Sequence, residues 1–357
     1  MTSEQLLNHC RTKIPWSAMK NILRIHEIPA GQGWNGTIQK LLLYINKGEK
    51  EAKHLNALEG SYYEYVITGD KAVRFYNVCE KNIKTLIKSL SNYKPAESIY
   101  HNTFPYPLPE TQLDQAGTEV TLVSIEQLNE GLALIYCTNR FVTERQEISL
   151  NDFSEETQSD LGGYDEIIAI KSHMKQFIDV IVISEKHNMI EVRADLSGGI
   201  SSEDQTNALR GVAHCFNKLA FEFTGVEGLI VTPLNLFPLV DKLYEAEEEG
   251  KVCELGFITD EASIKQQKMR RKEVDMRSET YHQAGKAAVP HLTPFRLGIS
   301  WEVKGAKDID LRPELLLPGH FRILNNNPPA LYDAIISKCS GFDDYDFVTR
   351  KVKEYLK

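Results

Sequence analysis

The chain has 357 residues, 42% hydrophobic and 25% charged, with 22 Gly and 14 Pro. That composition excludes a small disulfide-stapled scaffold, a collagen-like chain and a long disordered one. A formal charge of -9 excludes wrapping of a polyanion by the whole surface, so any nucleic-acid contact has to be local.

Residues 1–110 read as a mainly helical domain. Trp16, Met19, Ile22 and Leu23 form an apolar stripe that ends at Ile28-Pro29, and Gly31, Gly33 and Gly36 mark a tight loop. A second helix starts near Asn35 or Thr37 and gathers Ile38, Leu41, Leu42 and Ile45 on one side. Residues 61–68 and 71–77, rich in Tyr, Val and Phe and joined by Gly69-Asp70, predict a β-hairpin. A helix over 80–90 closes the unit. Pro95, Pro105, Pro107 and Pro109 then predict an extended connection and a boundary, leaving 111–357 as an α+β domain.

In that domain the sheet core is expected over 118–230, with strands at 118–125, 132–137, 141–150, 166–171, 177–184 and 189–195. A helix over 203–223 puts Leu209, Val212, Ala213, Phe216, Leu219, Ala220 and Phe223 on one face, which backs the sheet. The segment 231–357 predicts a helix over about 236–249, strands over 252–259 and 294–303, and final helices over 329–339 and 343–356. The fold class is therefore α+β: a helical N-terminal domain with a β-hairpin, a central mixed or antiparallel sheet backed by a long amphipathic helix, and an α/β C-terminal segment.

The six cysteines, Cys10, Cys79, Cys137, Cys215, Cys253 and Cys339, contain no CxxC pair, which argues against a zinc ribbon or a redox-active thiol pair. Neither a leader-like N-terminus nor the roughly 20 apolar residues of a bilayer crossing is found. The expectation is a cytoplasmic protein with no membrane partner.

The sharpest charge feature lies at 264–280, where Lys265, Lys268, Arg270, Arg271, Lys272 and Arg277 face only Glu273, Asp275 and Glu279. Its apolar residues Ile264, Met269 and Val274 recur every five positions, which suits neither helix nor strand burial, so a surface helix or loop is expected. Such cations suit phosphates or an acidic patch on a protein partner; a solvated charge run is the plain alternative. Arg277, Tyr281, His282 and Lys286 beside Gly285 form a candidate anion pocket.

Met19-Lys20-Asn21-Ile22-Leu23, Ile28-Pro29-Ala30-Gly31 and Thr37-Ile38-Gln39-Lys40-Leu41-Leu42 resemble a SAP-type DNA-binding module, two short helices around a glycine-containing loop within 16–44. The resemblance implies phosphate contacts from Lys20, Arg24 and Lys40; an ordinary helical hairpin is the other reading. Residues 178–183, the turn Lys186-His187-Asn188, Met189-Ile190-Glu191-Val192-Arg193 and the helix to 223 resemble the strand, turn, strand, helix kernel of PD-(D/E)xK nucleases. That resemblance implies catalytic Asp179 and Glu191 holding Mg²⁺, with Arg193 where the family places lysine. A guanidinium stays protonated and cannot serve as the usual base, and a structural hairpin is the alternative. Mg²⁺ is the one cofactor implied, and only by this reading.

These features lead to a nucleic-acid-binding accessory protein with DNA as its expected partner, serving genome maintenance or defence against foreign DNA. The alternatives are a Mg-dependent nuclease and a protein-interaction adaptor that does not bind nucleic acid.

Overall fold

Four helices, α1 (Ser3–Lys13), α2 (Trp16–Ile25), α3 (Gly33–Ile45) and α4 (Glu49–Thr68), open the computed structural model, which describes residues 2–45, 49–129, 131–271 and 273–356. Thr2 and Gln5 start α1 with a reciprocal capping box. Leu6, Leu7, Met19, Leu23, Leu41 and Tyr62 bury into one core between these helices. Residues 61–68 are thus helix, where the sequence predicts one arm of a hairpin. Leu58, Tyr62, Tyr65 and Val66 recur at helical spacing and are all buried, so packing outweighs the β preference of Tyr and Val.

The chain continues through β1 (Lys71–Asn77), α5 (Glu80–Leu90), α6 (Glu110–Ala116), β2 (Thr121–Leu128), β3 (Gly131–Glu147), α7 (Glu155–Leu161), β4 (Ile168–Ser184), β5 (Met189–Asp195) and α8 (Ser202–Thr224). It ends with α9 (Pro238–Glu245), β6 (Lys251–Thr259), β7 (Ile264–Lys268), α10 (Thr280–Ala288), β8 (Leu292–Ser300), β9 (Val303–Lys304), β10 (Asp310–Leu311), β11 (Glu314–Leu317), β12 (Ala334–Ser337) and α11 (Phe342–Tyr355). Among the described residues none of these helices is long and apolar enough to cross a membrane.

Ten strands form one antiparallel sheet in the order β2-β3-β4-β5-β1-β12-β11-β8-β6-β7. β1, contributed by the first 110 residues, lies mid-sheet between β5 and β12. Residues 334–337 are a strand where the sequence predicts helix. They fill the gap between β1 and β11, and a ladder on both sides outweighs a short helical pattern.

Alternation along the strands divides the core. On one face, α1–α4 pack over Ala133, Ile135, Cys137, Ile178, Val180 and Val182 of β3 and β4. On the same face, α9 and α11 pack over Val73, Phe75, Leu255, Leu297, Leu315 and Ile336. The opposite face carries Leu132, Leu134, Tyr136, Ile181, Ile183 and Val192 beneath α5 and α8, so α8 backs the sheet through Leu209, Val212 and Phe216. β5 runs along the seam where the two cores of the first face meet.

Candidate anion-binding cleft

On that seam, β5 presents Glu191, Arg193 and Asp195 at alternate positions. Their cross-strand partners are Phe75, Val73 and Lys71 on β1, and Arg193 also stands opposite Val180 of β4. Three charged side chains therefore share a buried face with two apolar cores on either side.

Burial raises a carboxyl pKa, but Lys353 and Arg193 outweigh it at Glu191 and bring it down to about 2. Glu191 Oε2 accepts from Arg193 Nη2 at 2.6 Å and Nε at 3.1 Å, and Oε1 lies 2.7 Å from Lys353 Nζ on α11. The Arg193 guanidinium also lies over the Tyr345 ring, 4.2 Å from its centroid.

These groups form the floor of a cleft of about 350 Å³. Its walls are the β2–β3 turn, with Gln127 and Asn129, the β4–β5 turn, with Lys186 and His187, and α11. Phe342, Asp346, Thr349, Arg350 and Lys353 recur at helical spacing and turn one stripe of α11 to the cleft. That stripe is legible in the sequence beside the apolar one through Tyr345, Val348 and Val352, and is the signal that pattern reading for core residues passes over. Among the described residues that line it, Lys186, Arg193, Arg350 and Lys353 outnumber Glu191 and Asp346. Ser184 lies on the same strand face as Val182, lines the cleft, and its buried Oγ has no hydrogen-bond partner among the described residues.

Asp179 does not join Glu191. It pairs with Tyr136, on the α8 side of the sheet, while Glu191 pairs with Val182 on the other. The carboxylate pair implied by the nuclease resemblance is thus split by the pleat, which sends side chains 179 and 191 to opposite faces. Asp179 forms an ion pair with Arg140 and accepts the Asp195 N–H at 2.9 Å. Asp195 in turn pairs with Lys13 and accepts the Ile178 N–H at 3.1 Å. Both aspartates finish the backbone ladder where β4 and β5 part. Burial opposes ionisation of Asp195, yet Lys13 and Lys71 hold its carboxyl well below the usual range. Among the described residues no group of three or more His, Cys, Asp or Glu is placed to hold a metal ion.

The cationic run at 264–280 separates on folding. Residues 264–268 are the edge strand β7, where Lys265 stands opposite Phe257 and Lys268 opposite Glu254, on opposite faces. Lys268 pairs with Glu254 at 2.9 Å. Arg277 is turned inward: it pairs with Asp275 and donates to the carbonyls of Ala246, Glu249 and Gly250. It is therefore a structural tie and not a surface contact. Lys265, Arg270 and Arg271 are exposed and make no ion pair among the described residues; Lys272 lies outside those residues.

Tyr281, His282 and Lys286 do not form one pocket. Tyr281 is 75% exposed, whereas His282 is buried between Tyr244 Oη at 3.0 Å and Gln267 Oε1 at 2.6 Å. Burial, then Lys286, lowers the His282 pKa, and Lys286 lies over the Tyr244 ring. The 16–44 segment forms two helices around the glycine loop. Lys20 and Arg24 are exposed on α2, while Lys40 Nζ donates to the Ala30 carbonyl at 2.9 Å.

No protein-family model matches this chain, and neither a curated protein nor a solved structure matches it.

Proposed function

We propose that the protein binds nucleic acid, DNA in the first instance, with a phosphate seated in the cleft between the two hairpin turns and α11. One observation carries this reading: Arg193 and Lys353 share the buried charge of Glu191 beneath a cleft whose wall adds Arg350. In a chain of charge -9, that local positive excess favours an anion that neutralises it. The Ser184 hydroxyl supplies a donor without a partner among the described residues, and Phe342 brings a ring to the same cleft. A volume of about 350 Å³ stands near the small end of ligand sites, the scale of one nucleotide. A place in genome maintenance or in defence follows only from such binding.

The test is fluorescence anisotropy with labelled single- and double-stranded DNA over a salt series. Arg350→Ala is expected to weaken binding and to reduce the salt slope by about one. Wild-type protein that retains no DNA at low salt, or binding left intact by both Arg350→Glu and Lys353→Met, removes the reading.

A second reading places the contact at Arg270 and Arg271, because both are exposed and without an ion-pair partner among the described residues. It is favoured if Arg270→Glu with Arg271→Glu abolishes binding that Arg350→Glu leaves unchanged.

A further inference from the structure

Beyond Cys137 of β3, the last residue paired with β2, and before Val180 of β4, the first paired with β5, the two long strands continue as a ribbon of their own. Phe141 pairs with Met174 at its base and Glu147 with Ile168 near its tip. A two-stranded ribbon is marginal in water unless something packs on it. One face leaves apolar side chains open, with Phe141 67%, Ile170 61% and Ile168 49% exposed, and the hydrogen-bonded pair Thr143 and Ser172 between the first two. On this same face Arg145 stands beside Ile170 and Glu147 beside Ile168, and neither charge makes an ion pair among the described residues.

We infer that this face binds a second copy of the chain, the two ribbons lying antiparallel about a two-fold axis. An axis across the strands at the level of Gln146 and Ala169 sets each strand on its own mate in reverse. Arg145 of each copy then meets Glu147 of the other, and Ile170 of each meets Ile168 of the other, every contact occurring twice. Residues 148–166 beyond the ribbon carry Asp152, Glu155, Glu156, Asp160, Asp165 and Glu166 with no Lys or Arg. Parallel ribbons would bring these two acidic tips together; antiparallel ribbons hold them apart. The ribbon and the proposed nucleic-acid cleft lie at opposite ends of β3 and β4, so this inference is independent of that function.

Sedimentation velocity of the full chain over a concentration series tests it. The wild type is expected to dimerise. Arg145→Glu alone or Glu147→Arg alone sets like charges opposite each other and weakens the dimer by about tenfold or more. The double reversal restores the pairing and the affinity, a recovery that general damage to the ribbon would not give. Ile168→Asp with Ile170→Asp leaves a monomer of native circular dichroism, while Arg350→Glu dimerises as the wild type does. A wild type that stays monomeric throughout overturns the inference, including one that only captures a basic peptide on its acidic tip. So does a double reversal that fails to recover, or a dimer indifferent to the isoleucine changes.

Discussion

Lys353 of α11 places its Nζ 2.7 Å from Glu191 Oε1, tying the C-terminal helix to the middle of the sheet through a carboxylate that Arg193 already holds. This buried carboxylate has two cationic partners, so its removal strands two charges at once. Glu191→Leu is expected to destabilise the fold by about 3–5 kcal/mol in urea denaturation. Lys353→Met should cost less, since Arg193 still neutralises the carboxylate. Equal losses in the two variants would contradict this account of the network.

The same network sets an acid limit. Glu191 titrates at about 2 in the folded chain against an ordinary 4.5, so the unfolded chain takes up its proton first as pH falls. Its contribution is complete above about pH 5 and is lost progressively toward pH 2, on the order of 3 kcal/mol in all. Stability measured against pH should therefore fall less steeply over that window in Glu191→Gln than in the wild type. Parallel curves would place the acid sensitivity elsewhere.

Much of the architecture is legible along the chain, and what is not has physical reasons. The stripe of α8 follows from periodicity and β5 from its short apolar run, while the strands expected at 166–171 and 177–184 join into the one long strand β4, whose polar middle hides its continuity. The helix over 61–68 is hidden by residue types that favour strands, and only the cores of α1–α3 decide it. β12 is hidden for the opposite reason: its partner β1 lies far along the chain, and pairing across that distance leaves no local mark. At the site, Glu191 and Arg193 stand out as charges in an apolar strand. Their partner Lys353 does not, since no spacing rule links position 191 to 353. Likewise Arg277 looks like a surface cation until the carbonyls of Ala246, Glu249 and Gly250 converge on it.

Lys71 gives an alkaline signature of opposite sign. It is fully buried, with Nζ donating to the Ile178 carbonyl at 3.0 Å, and burial lowers its pKa from 10.5 to about 8 despite Asp195. Between pH 8 and 10.5 the folded chain has released a proton that the unfolded chain still holds, so this group adds stability as pH rises. Below pH 8 both states are charged and the cost of burying the ammonium is borne in full. In Lys71→Met that rise should vanish from the stability profile, giving a flatter curve over the window. An unchanged slope would mean that the folded chain keeps the amine charged as long as the unfolded chain does, its ammonium well hydrated or fully paired.

Gly31 and Gly60 make a paired test of the N-terminal helices, because one glycine is required by contact and the other is not. A Cβ on Gly31 would lie 2.3 Å from both the carbonyl carbon and the oxygen of Gly36, where the loop before α3 closes on the helix. The Gly31 N–H also donates to Thr37 Oγ1 at 2.9 Å, so the backbone cannot move aside without losing that bond. Gly31→Ala is therefore expected to cost about 1–3 kcal/mol. Gly60 sits within α4 with nothing within 4 Å of its would-be Cβ. Gly60→Ala removes freedom from the unfolded chain and suits the helix, so it should stabilise by about 0.5–1 kcal/mol. Thermal denaturation of the two variants should shift in opposite directions; a stabilised Gly31→Ala would show that the loop packs against α3 less closely than these contacts require.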